Sequence, residues 1–135
     1  MIGVVVVTHG QLATELVNAT ETIVGDLPRF AAVSIGWHED THDAREEIAE
    51  ALARVDQGQG VLIMTDMFGG TPSNLAMTFL TPDKVEVITG VNVPMLIKLA
   101  GLREQSDLLG VARQMREHGR NAIWVASDLL RGEKT

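Results

Sequence analysis

At 135 residues, 45% apolar and 21% charged, the chain has the size and composition of a single globular domain that buries one core. It has no cysteine, which excludes disulfides and thiolate metal sites, and its net charge of -7 with a pI of about 4.9 speaks against a nucleic-acid role. Arg113, Arg116 and Arg120, the nearest approach to a basic stripe, fall at near-helical spacing and read as a solvated face. No apolar segment reaches the ~18 residues that span a bilayer, and Met1 leads into a strand without a basic leader, so direct membrane insertion is not expected and a cytoplasmic location is.

In chain order, Ile2 to Val7 is a β-branched, unpunctuated run that predicts a buried parallel strand. Leu12, Leu16, Ala19 and Ile23 follow at helical spacing, stopped by Gly25. Ala31 to Ile35 reads as a second strand. Asp43 with Glu46 resembles a capping box, ahead of a stripe of Ala44, Ile48, Leu52 and Val55. Val61 to Thr65 predicts a third strand. After the Gly69-Gly70 turn, Thr71 as N-cap and Pro72 at the first helical position start a helix to about Leu80. Lys84 to Ile88 predicts a fourth strand, followed by a short helix from Pro94 to Ala100. A further helix spans Ser106 to His118, closed by Gly119, and Ala122 to Ala126 reads as a fifth strand. This alternation implies an α/β fold with a doubly wound, mainly parallel sheet of four strands plus that fifth, and helices on both faces. No domain boundary is visible, so residues 1–130 are expected to form one domain, with 131–135 a polar tail.

In such sheets the carboxyl ends of the strands line one rim, where ligands bind. That rim would carry His9 with Thr8 and Gly10, then Asp66, and the Gly90 to Asn92 turn. A carboxylate that accepts a hydrogen bond from one imidazole nitrogen fixes the tautomer and leaves the other nitrogen free to attack. His9 and Asp66 are thus the candidate nucleophile and its orienter. The stretch from Phe68 through Gly69, Gly70 and Thr71 to Asn74 offers backbone donors and a hydroxyl for an anion such as a phosphoryl group. A P-loop and a dinucleotide fingerprint are absent, and no lysine precedes Lys84. The site therefore reads as one that holds phosphate on a side chain, needing no metal and no cofactor.

The segments Val7-Thr8-His9-Gly10, Thr65-Asp66-Met67-Phe68-Gly69-Gly70-Thr71-Pro72-Ser73-Asn74 and Thr89-Gly90-Val91-Asn92-Val93-Pro94-Met95-Leu96 resemble the enzyme IIA component of mannose-type sugar phosphotransferase systems. The likeness extends over nearly the whole chain. It implies that His9 is phosphorylated by the phosphocarrier protein HPr and discharged onto a IIB partner, with Asp66 hydrogen-bonded to it. It also implies that the Thr71 hydroxyl helps hold the phosphate, and that the protein is a homodimer whose last strand can pair across the dimer. Some members continue into a IIB domain; this chain resembles a free-standing IIA whose IIB is separate. The phosphoryl-donor subunit of dihydroxyacetone kinase has a related domain, so that role is an alternative.

Other readings compete. His38-Glu39-Asp40-Thr41-His42 matches H-E-x-x-H, the zinc-hydrolase pattern, yet it overlaps a strand end and a helix cap and has no evident third ligand. A flavodoxin-like regulatory module would leave His9 unmodified. Asp66 and Asn92 would serve merely to cap or shape turns, and Met67 and Phe68 either pack or form a docking surface. Trp37 and Trp124 are taken as packing residues.

Overall fold

In a computed structural model, which describes residues 1–132, four parallel strands form one sheet in the order β2-β1-β3-β4. The strands are β1 (Gly3–His9), β2 (Phe30–Ile35), β3 (Val61–Thr65) and β4 (Val85–Thr89). Six helices accompany them: α1 (Leu12–Val24), α2 (Thr41–Val55), α3 (Thr71–Met77), α4 (Val93–Ala100), α5 (Leu108–Asn121) and α6 (Ala126–Leu130). Alternation along β1 divides the core. Val4 and Val6 face α1, α4 and α5 with Leu62, Leu96 and Met115, whereas Val5 and Val7 face α2 and α3 with Ile48, Ile63 and Leu75. All four valines are fully buried, each contributing roughly 1.5–3 kcal/mol of transfer free energy.

The chain leaves β1 through α1 on one face to reach β2, then returns through α2 on the other face to β3. The winding reverses between β1 and β3, and this switch point opens a crevice at their carboxyl ends.

Several boundaries differ from the sequence expectation. The buried face of α1 is Ala13, Val17 and Thr20; Leu12 and Ile23 stay exposed and Leu16 is half-buried. A threonine is affordable there because its hydroxyl donates to the Leu16 carbonyl at 2.9 Å. The cap of α2 is Asp40, which accepts from the His42 amide at 2.7 Å, rather than the Asp43–Glu46 pair. Gly119 does not end α5 but lies inside it, because the helix passes so close to Met95 that a Cβ would overlap its sulfur.

The fifth strand does not form: within the described chain Ile123 to Val125 is an exposed, non-regular segment, and Ala126 starts α6. Its β-branched residues have the right propensity, but the ladder β4 offers is left unused by the single chain. The tail at 131–135 passes outside the described residues after Gly132. Among the described residues, no helix is long and apolar enough to cross a membrane.

Candidate active site

His9 is the last residue of β1, aligned with Ile35 of β2, and the Gly10 amide donates to the Ile35 carbonyl at 2.9 Å. The next strand on the other side ends one residue before Asp66, since Val7 aligns with Thr65. Two adjacent strands thus deliver the imidazole and the carboxylate to the switch-point crevice. Thr8, fully buried, accepts from the Ala13 amide at 2.6 Å and donates to the His9 carbonyl at 3.2 Å, binding the start of α1 to the strand end.

His9 Nδ1 lies 2.8 Å from Asp66 Oδ2, and the same oxygen accepts from the His9 backbone amide at 3.1 Å. Partial burial works to raise the Asp66 carboxyl, but the hydrogen bonds from the His9 side chain and backbone, with the charge of the ring, outweigh it and hold the group below the ordinary value of 3.8. An ionised carboxylate only accepts, so Nδ1 carries the proton, and in the neutral ring the lone pair sits on Nε2. The histidine side chain is 45% exposed and the aspartate 14%, so the imidazole is open to a partner while the carboxylate is shielded.

The Asp66 to Thr71 loop meets the ring at Gly70. Asp66 Oδ1 accepts from the Met67 amide at 3.0 Å, and Gly70, at φ 90 and ψ 170, packs against the His9 edge. A Cβ at position 70 would stand 3.1 Å from both Cε1 and Nε2. The α3 N-cap is Gly70 rather than Thr71, which becomes the first helical residue and is exposed. The Gly69 amide donates to Ser73 Oγ at 2.8 Å, so it is engaged within the loop rather than turned to a ligand. Ser73 was not legible as a site residue; its signal was a small hydroxyl immediately after the Gly-Gly-Thr-Pro turn.

Asn92 is committed elsewhere: its oxygen accepts from the Met95 amide at 3.0 Å to cap α4 and its nitrogen donates to the Gly119 carbonyl at 3.3 Å. It shapes the junction of α4 and α5. Met67 and Phe68 are exposed, the latter 74%, and Trp37, taken as packing, is 90% exposed in the loop that leaves β2 beside His9. Trp124 is likewise on the surface at 44%. Trp37 is not enclosed because it lies two residues past the end of β2, beyond the sheet that would bury it. In the H-E-x-x-H stretch, Asp40 caps α2 and His42 Nε2 pairs with Glu46 Oε1 at 3.1 Å, a surface i,i+4 contact. Among the described residues no three His, Asp or Glu side chains cluster as metal ligands. Arg116 and Arg120 are well exposed and pair with Glu117, as a solvated face would, and with Arg113 they line the open groove between α5 and β4.

A family model described as "PTS system fructose IIA component" matches residues 3–115. The fructose-specific EIIA component of the phosphotransferase system of Bacillus subtilis is 29% identical over 136 residues, covering all of this chain and 93% of that protein. The mannose-specific EIIAB component of Escherichia coli K12 is also 29% identical, over 127 residues and 90% of this chain, which matches just 39% of that longer protein. Among solved structures, the IIA protein associated with the fucose utilization operon of Streptococcus pneumoniae superposes with a TM-score of 0.84 at 25% identity, over 95% of each chain. The strand-end histidine, its aspartate and the glycine loop thus sit in a fold shared with these proteins, and the chain belongs to the mannose/fructose-type family of phosphotransferase-system IIA components.

Proposed function

We propose that His9 is the phosphoryl-carrying residue of this IIA component, charged on Nε2 by the phosphocarrier protein HPr and discharged onto a IIB component. As a member of its family the chain is a phosphoryl carrier of a sugar phosphotransferase system, and the relatives favour this over a dihydroxyacetone kinase donor or a ligand-binding module. The observation that carries the assignment is the Nδ1–Asp66 contact of 2.8 Å, which in the neutral ring puts the lone pair on Nε2, beside the Gly70 backbone. The transfer is an in-line displacement: the Nε2 lone pair forms a bond to phosphorus as the donor's bond to phosphorus breaks. Asp66 balances the positive charge the ring then bears. In the second displacement the acceptor group of the IIB component forms a bond to phosphorus as the Nε2–P bond breaks, and the neutral ring is regenerated. Such loose transition states need positioning and charge stabilisation more than covalent help. Gly70 borders Nε2 and the exposed Thr71 follows it in the chain, its hydroxyl available to the phosphoryl oxygens, while Phe68 and Trp37, exposed in the loops after β3 and β2, would serve as apolar docking residues.

The homodimer belongs to the same reading. The outer edge of β4 borders a groove of about 480 Å³ against α5, lined by Val87, Thr89, Arg113, Arg116 and Ile123 among others. The exposed segment Ile123 to Val125 of a second copy has the composition of a strand that would complete that edge. A cytoplasmic location fits a carrier that meets soluble partners. Incubation with phosphoenolpyruvate, enzyme I and HPr should place acid-labile, base-stable phosphate on the wild-type chain and none on His9→Ala. Label retained by the variant, or absent from the wild type, refutes the assignment.

A further inference from the structure

Ser73 lies in the first turn of α3 and is fully buried. Its oxygen accepts the Gly69 amide at 2.8 Å. The loop it holds is pinned at one end by Met67 on Asp66 Oδ1 and at the other by the Asn74 amide on the Gly70 carbonyl, 3.0 Å each. Between these pins stand two glycines at φ 91 and 90, a conformation with no side chain to brace it. Gly70 is the backbone that abuts Cε1 and Nε2 of His9, so the placement of this turn sets the gap at the attacking nitrogen. A partly buried amide that loses its acceptor moves toward another one.

We propose that Ser73 is a positioning residue for phosphoryl transfer, its buried oxygen fixing the Gly69-Gly70 turn and thereby the space at His9 Nε2 that phosphorus must enter. The inference rests on His9 being the phosphoryl acceptor. Ser73→Ala removes the acceptor, Ser73→Cys fills the same volume with a poor one, and Ser73→Thr keeps the hydroxyl. At saturating phospho-HPr, the rate of His9 labelling should fall about tenfold or more in the alanine and cysteine variants and stay within about threefold of wild type in the threonine variant. In parallel, amide exchange at Gly69, read by NMR on unphosphorylated protein, should accelerate about tenfold in the alanine and cysteine variants alone. A cysteine variant that labels at the wild-type rate, or a Gly69 amide indifferent to the substitutions, overturns the proposal. The exchange measurement involves no phosphate, so it tests the Ser73 contact even if the wild type takes no label, an outcome that would instead sink the assignment of His9.

Discussion

Gly70→Ala concentrates the argument about the site into one methyl group. At φ 90 and ψ 170 the backbone is in a region essentially reserved for glycine, and forcing alanine into it costs about 1–3 kcal/mol. For a domain of this length that is a fall in Tm of roughly 3–12 °C. The new methyl would also stand 3.1 Å from Nε2. Phosphorus must start its approach from roughly 3–3.5 Å on that same nitrogen, so the methyl and the phosphoryl group compete for one shell. Labelling of His9 should therefore fall about 100-fold or more. Gly69→Ala supplies the control: its φ is 91 but nothing lies within 4 Å of the added carbon. It should lose comparable thermal stability while labelling within about tenfold of wild type. Calorimetry and a timed transfer from phospho-HPr measure both quantities. Equal labelling rates for the two variants would refute the claim that Gly70 bounds the reacting nitrogen.

Three further variants have expected outcomes. Asp66→Asn can offer an amide N–H to Nδ1 and so favour the wrong tautomer; His9 labelling should drop about a thousandfold, measured by transfer kinetics. Because the Asp66 carboxyl is held below 3.8 when folded, its contribution to stability is complete above that value and lost as pH falls through the lower folded one, so the Tm gap between wild type and Asp66→Asn should close below about pH 4. Glu47 behaves in the opposite sense: a hydrogen bond with Glu39, then burial, then repulsion from Glu39, Glu50 and Asp43 raise it from 4.5 to about 7. Its folded form is favoured below 4.5 and penalised as pH rises through about 7, so Glu47→Gln should raise Tm at pH 8 and leave it unchanged near pH 4. Val125→Asp, on the exposed segment after α5, should convert a dimer to a monomer in sedimentation equilibrium, and a wild type that sediments as a monomer would remove the strand-exchange reading.

Much of this arrangement was legible because it is written in local patterns. The continuous valines of β1 announce a strand buried on both faces, and the Gly-Gly-Thr-Pro sequence announces a turn into a helix. The alternation of such units implies a parallel sheet whose carboxyl rim holds His9 and Asp66. Element ends were less legible, since a cap such as Asp40 is chosen by where the chain leaves the sheet, and the several acidic residues nearby all have the required oxygen. The tryptophans illustrate the same limit: hydrophobicity makes Trp37 look like core, but it falls two residues beyond Ile35, where no layer covers it.

By itself, then, the sequence determined the α/β class, the strand-end position of His9 and the carboxylate available to orient it, because periodicity and residue chemistry are properties of short segments. Tertiary structure decided the rest. It set β1 beside β3 at the switch point, bringing Asp66 within 2.8 Å of a histidine 57 positions away. It turned Gly70 onto Nε2 and engaged the Gly69 amide with Ser73. It also left Ile123 to Val125 outside the four-stranded sheet of the described residues. A strand forms only where a neighbour supplies hydrogen bonds, and a catalytic contact only where two chain segments are packed together; neither partner is named by the residues that need it.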